Sequence, residues 1–269
     1  MRFVDADGLG IAYERVGDGP PLVFAHGAAS DGRIWKPQLD GLSDEFTVVA
    51  WDEPGAGRSS DLPNDFGLAD VADGLATVVM TLDGGPAHVA GQSWGGTVVL
   101  ELYRRHPQLV ATLILIDTYA GWKGSLSTDE VRARSADART MLAAPDGEFT
   151  PTIPGLFADG PPPESLALLA AIAADIRPSS LRFQLAIMAE TDLRELLPTI
   201  AVPTLLIWGQ RDTRSPLYVA HQFEDAISDA TLVVIDGAGH ESPLERPQQV
   251  NAAIRKFCRA HPPQQPSRG

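Results

Sequence analysis

Short apolar runs, rich in β-branched residues, recur along the chain and constrain it most. They are Leu22–Ala25, Phe46–Trp51, Ala87–Ala90, Leu113–Ile116, Thr204–Trp208 and Thr231–Ile235. Each stops at a polar or glycine-containing turn: His26-Gly27, Asp52, Gly91, Asp117, Gly209 and Asp236-Gly237. Runs that are apolar on both alternating positions read as strands buried on both faces. Helical patterns lie between them, over about residues 67–82, 95–106, 216–227 and 247–260. Strands alternating with helices predict an α/β protein with a parallel sheet covered on both sides. The opening stretch, Phe3–Val16 around Asp7-Gly8, reads as an antiparallel hairpin at the sheet edge.

The rhythm breaks over residues 121–190. Thr128–Leu142 is helix-forming and charged, and a proline-rich loop follows at Pro145, Pro151, Pro154 and Pro161-Pro162-Pro163. From Glu164 to Ile176, apolar residues fall at helical spacing: Leu166, Leu169, Ile172, Ala173 and Ile176. We read residues 1–120 and 191–261 as one core, 121–190 as a helical insertion seated on it, and 262–269 as a disordered tail.

With 21 Lys and Arg against 35 Asp and Glu, the net charge is −14. That opposes binding to nucleic acid or to an anionic membrane surface, both of which need a cationic footprint. A lone cysteine, Cys258, cannot form an internal disulfide. The first residues lack the apolar core of a signal peptide, and no run is long enough to span a bilayer. The expected location is cytoplasmic and the expected partner a small molecule. No metal-ligand spacing occurs, no Gly-Lys-Ser/Thr follows Gly55–Gly57, and no cofactor is expected.

The chemistry-bearing motif is Gly91-Gln92-Ser93-Trp94-Gly95. It follows a strand run and opens a helical pattern, the context a nucleophile on a sharp strand-to-helix turn needs. Such a turn strains the serine backbone and sets its hydroxyl at the sheet's carboxyl edge. A serine hydroxyl needs a base, and His240, in Gly237-Ala238-Gly239-His240 after the last strand run, can reach that edge. The base needs an acid. Asp212 follows the neighbouring strand run, and Asp117, also at a strand end, is the runner-up. Glu241 is expected to face solvent, and Asp52 to brace the Gly55–Gly57 turn. For the oxyanion, the expected donors are the backbone amides of Trp94 and Ala28. His26 is expected to bond backbone and brace its loop. Pocket walls are expected from Trp35, the Trp94 ring, Trp122, Leu156, Phe157, Leu169 and Ile172.

Taken together, His26-Gly27, Asp52-Glu53-Pro54-Gly55-Ala56-Gly57-Arg58-Ser59, Gly91–Gly96, the Asp212 turn and Gly239-His240 resemble the α/β-hydrolase fold family of serine hydrolases. Length and motif order are similar to its small esterases, enol-lactonases and carbon–carbon bond hydrolases. The resemblance implies an eight-stranded, mostly parallel sheet with a helical cap between the sixth and seventh strands, which coincides with 121–190. It also implies cleavage of a carboxylic ester or lactone by Ser93, His240 and Asp212. The same residues would serve a diketone hydrolase or an acyltransferase, and a non-catalytic ligand receptor can share the fold. Small Ala28-Ala29 departs from many relatives, which carry a bulkier residue there, and leaves the acyl side of the pocket open.

Overall fold

The computed structural model describes residues 1–82, 85–143 and 153–263. Eight strands form one sheet: β1 (Arg2–Ala6), β2 (Leu9–Val16), β3 (Pro21–Ala25), β4 (Thr47–Trp51), β5 (Ala87–Gln92), β6 (Val110–Ile116), β7 (Thr204–Gly209) and β8 (Ala230–Ile235). Their spatial order is β1-β2-β4-β3-β5-β6-β7-β8. The pairs β1–β2 and β2–β4 are antiparallel and all others parallel. The edge hairpin turns at Asp7 and Gly8, both at positive φ, as an Asp-Gly turn between paired strands requires. β6 begins earlier than its apolar run because Val110-Ala111-Thr112 continues the pairing with β5 and hides Thr112 in the sheet.

Alternation along each strand divides the core in two. Val23, Val49, Val89, Leu113, Leu115, Leu206 and Trp208 point to one face, and Leu22, Phe24, Val48, Ile114, Ile116, Leu205 and Ile207 to the other. The first face is covered by α2 (Leu68–Met80), α3 (Trp94–Arg105) and α7 (Leu217–Ala226). The second is covered by α1 (Lys36–Leu42) and α9 (Pro247–Ala260), with the single turn α8 (Ser242–Glu245) leading in. This is why the central runs carry no polar face: both sides are packed.

Between β6 and β7 run α4 (Thr128–Leu142), α5 (Leu166–Asp175) and α6 (Pro178–Glu190). The first two match the expected helices. The third, which the apolar spacing did not single out, buries Leu181, Leu185 and Met188 against the side of the core that holds Trp94, Tyr119 and Trp122. Part of the expected proline-rich loop, 144–152, and the tail residues 264–269 lie outside the described residues. Among the described residues, no helix is long and apolar enough to cross a membrane.

Candidate active site

Parallel strands place their carboxyl ends at one edge, where loops converge. β5 lies at the centre, with Gly91 paired to Ala25 of β3 and to Leu115 of β6. Directly after it, Ser93 turns the chain into α3 with φ 52° and ψ −117°, a conformation that costs a non-glycine residue about 1–3 kcal/mol. A Cβ on Gly91 would collide with the Gly95 carbonyl, and one on Gly95 with the Ala25 carbonyl, so the turn can be this tight only with glycine on either side.

The loops after β7 and β8 bring two more side chains to Ser93. Ser93 Oγ donates to His240 Nε2 at 2.9 Å, and His240 Nδ1 donates to Asp212 Oδ2 at 2.8 Å. The carboxylate can only accept, so the imidazole proton is on Nδ1 and Nε2 is free to take the serine proton. Asp212 is itself fixed, since the backbone N–H groups of Arg214 and Ser215 donate to its Oδ1 at 2.7 and 2.9 Å. Asp117 points elsewhere. It accepts from Gly209 N–H at 2.7 Å and from Ser242 Oγ at 2.6 Å, and burial pushes its carboxyl well above the usual range. It braces the loops that carry Asp212 and His240 and does not touch the imidazole. Gln92 Nε2 adds a bond to the His240 carbonyl at 3.0 Å, and Glu245 accepts from Gly239 N–H at 2.8 Å.

On the other side of Ser93 lies the loop after β3. His26 Nδ1 donates to the Gly27 carbonyl at 2.9 Å, and its Nε2 accepts from Glu53 N–H at 3.2 Å. Both nitrogens are engaged with backbone groups of the loops after β3 and β4. Asp52 accepts from the N–H groups of Gly32 and Arg58, each at 2.9 Å, holding the turn that follows β4. Trp94 is the first residue of α3, where the backbone N–H has no partner within the helix. Among the described residues, neither this N–H nor that of Ala28 meets an acceptor.

Ser93, Gln92, His240, Ala28 and Gly27 open onto a small cavity of about 20 Å³. Trp122 and Leu156, two of the expected wall residues, line it together with Tyr119, Leu185, Met188 and Arg214. The other expected wall residues lie elsewhere. Trp35 stacks on Phe24 with ring centroids 4.7 Å apart, and Phe157, Leu169 and Ile172 pack into the same α1/α9-side core. Their apolar character marks burial, and the core claims it. The Trp94 ring is not a wall either. It is fully buried, and its Nε1 donates to Glu53 Oε2 at 2.6 Å.

Glu241 also departs from expectation. It lines the cavity beside His240, and burial, helped by the neighbouring charges of Glu245 and Asp212, pushes its carboxyl up to about 8. The Glu241 N–H is tied to the Leu156 carbonyl at 2.9 Å, and the residue is half-buried at the cavity instead of fully exposed. Glu53, equally unforeseen, is fully buried, and burial raises its carboxyl against the opposing bonds from Trp94 and Gln184. A carboxylate at a strand end before Pro54-Gly55 was a visible signal for Glu53. For its partner Gln184, inside an ordinary helix, no sequence signal exists.

The alpha/beta hydrolase family model matches residues 22–253. Over 265 residues the chain is 27% identical to a protein of Azorhizobium caulinodans provisionally named a carbamate hydrolase, covering 96% of this chain and 98% of that one. It is 29% identical over 252 residues to the pimeloyl-acyl-carrier-protein methyl ester esterase of Chromobacterium violaceum, covering 91% and 97%. A malate-bound thermophilic esterase from Thermogutta terrifontis superposes with a TM-score of 0.82 at 29% identity, covering 97% of this chain and all of that one.

Proposed function

Since the chain belongs to the alpha/beta hydrolase family, we propose that it is a serine hydrolase that cleaves a small carboxylic ester or lactone through an acyl-enzyme. One observation carries this reading: the unbroken Asp212–His240–Ser93 hydrogen-bond chain ending at a cavity. His240 takes the Ser93 proton as Oγ attacks the carbonyl carbon, and Asp212 stabilises the imidazolium that forms. The amides of Ala28 and Trp94 receive the oxyanion, a contribution of about 3–4 kcal/mol for each donor. His240 then gives its proton to the leaving oxygen, and water repeats the sequence to release the acid. In this reading the insertion acts as the cap that closes the acyl pocket, through Leu185 and Met188 of α6 and through Trp122 and Leu156 outside its helices. The esterase names of the Chromobacterium and Thermogutta relatives support ester cleavage. A carbamate, named for the Azorhizobium relative, presents the same carbonyl to the same nucleophile and is the second reading.

Two measurements test it. A fluorophosphonate is expected to add one phosphonyl group, mapped to Ser93 by peptide mass; a protein left unlabelled refutes the nucleophile. A panel of esters, lactones, carbamates and diketones then ranks the leaving groups, and turnover confined to carbamates or diketones overturns the ester reading.

Glu241 sets a pH signature. Below about pH 8 its carboxyl keeps its proton, and above that it becomes an anion. Negative charge beside His240 holds a proton on the imidazole and opposes the oxyanion, and both effects lower turnover. The value of kcat/KM is therefore expected to fall by about three- to tenfold as pH rises through this region. Glu241→Gln should flatten that alkaline limb in a pH–rate profile. An alkaline limb that is the same in both proteins removes Glu241 from the account.

A further inference from the structure

The oxyanion loop is strained and is held from outside. Ala29 has φ 56°, in the left-handed region that a residue with a Cβ rarely adopts. Its N–H donates to Gln184 Oε1 at 3.2 Å, across 155 residues of sequence, from α6 of the insertion. The other end of the same amide, Nε2, donates to Glu53 Oε1. Glu53 Oε2 accepts the Trp94 indole, and the Glu53 N–H donates to His26, whose ring is bonded to the Gly27 carbonyl. The result is a closed frame around the two residues whose amides face the reacting carbonyl in the reading above. Gln184 is the member that spans from the insertion to both sides of that frame, and it is buried.

We propose that Gln184 is a positioning residue: through Ala29 on one side and Glu53–Trp94 on the other, it holds both oxyanion-binding amides in register. The proposal rests on the serine-hydrolase reading. Its physical basis is that a strained turn persists only where its surroundings over-determine it, and a fixed donor is worth more to the transition state than to the substrate. Removing the brace lets Ala29 relax toward negative φ and carries the Ala28 amide away from the oxyanion. The insertion then does more than cover the pocket, because its docking completes the oxyanion site.

Gln184→Met keeps the side-chain length and removes both bonds. Its kcat on an activated ester is expected to fall by about 10- to 100-fold, the size of effect that misplacing a donor by about 1 Å produces. KM should stay nearly constant, and affinity for a boronic acid, which forms a charged tetrahedral adduct on Ser93, should drop by the same factor as kcat. Ser180→Ala is the control. Ser180 Oγ donates to the Gly55 carbonyl at 2.8 Å from the same helix, an insertion-to-core bond that does not touch the loop, so its loss should leave kcat unchanged. Gln184→Ala repeats the measurement should the Met variant fail to fold. Unchanged kcat in Gln184→Met, an equal loss in Ser180→Ala, or lost kcat with intact boronic acid affinity each overturns the proposal. Ser93→Ala is measured alongside. If it retains turnover, the nucleophile assignment fails first; if it is inactive while Gln184→Met is unaffected, only the brace fails.

Discussion

Ser93→Ala is expected to lower turnover of an activated ester by about 10⁴- to 10⁶-fold while the protein stays folded. The loss is large because, in the proposed mechanism, Ser93 is the group that forms the acyl-enzyme: His240 would retain its bond to Asp212 but have no hydroxyl to deprotonate. What remains is acceleration from binding and from the backbone amides, about 10³–10⁴-fold over water in serine enzymes stripped of their triad. The stability cost is small by comparison. Alanine meets the same strain at φ 52° that serine does, and the substitution forfeits one hydrogen bond worth about 1 kcal/mol. Thermal melting and ester turnover on the same preparation check both halves. An alanine variant that melts like the wild type and also turns over like it removes Ser93 from the mechanism.

Asp212→Asn is expected to cost about 10⁴-fold in kcat, because the bonds that hold Asp212 dictate how an asparagine must sit. Two backbone donors, from Arg214 and Ser215, meet at Oδ1. An asparagine must put its carbonyl oxygen there, which sends its NH₂ toward His240 Nδ1. That nitrogen then has to be an acceptor, so the imidazole proton shifts to Nε2 and faces Ser93 as a donor. The base becomes unable to accept the serine proton without any side chain moving. Asp117→Asn is the counterpart. Because burial already drives the Asp117 carboxyl toward its neutral form, a neutral amide is a close substitute, and the triad tautomer is untouched. Steady-state kinetics on the pair separates the two strand-end carboxylates. Equal losses in both variants would mean that loop bracing, not tautomer control, is what Asp212 provides.

What could be read before the structure follows from the range of the interactions. Central strands such as Leu113–Ile116 declare themselves because both their faces are packed, and the elbow at Ser93 because its glycines are dictated by neighbours a few residues away. The pocket walls were far less legible. Trp35, Phe157, Leu169 and Ile172 are as apolar as Trp122 and Leu156, and only three-dimensional packing decides which of them meets the cavity and which meets the α1/α9 layer. Polar residues were misjudged where tertiary contacts override local expectation. Glu241, beside a glycine-rich loop, suggests exposure, yet it is half-buried at the cavity, with its N–H bonded to the Leu156 carbonyl. The link between Glu53 and Gln184 spans 131 residues and leaves no local trace.

Strand order has a consequence for how the protein is made. Ser93 leaves a central strand built early in the chain, whereas the Asp212 and His240 loops follow β7 and β8, the last two strands and one margin of the sheet. In the proposed mechanism, a nascent polypeptide thus carries an inert alcohol at Ser93 until the loops after β7 and β8 have docked. Under that reading, hydrolytic competence waits on strands that follow the insertion, so a product truncated before β7 would lack both partners of Ser93.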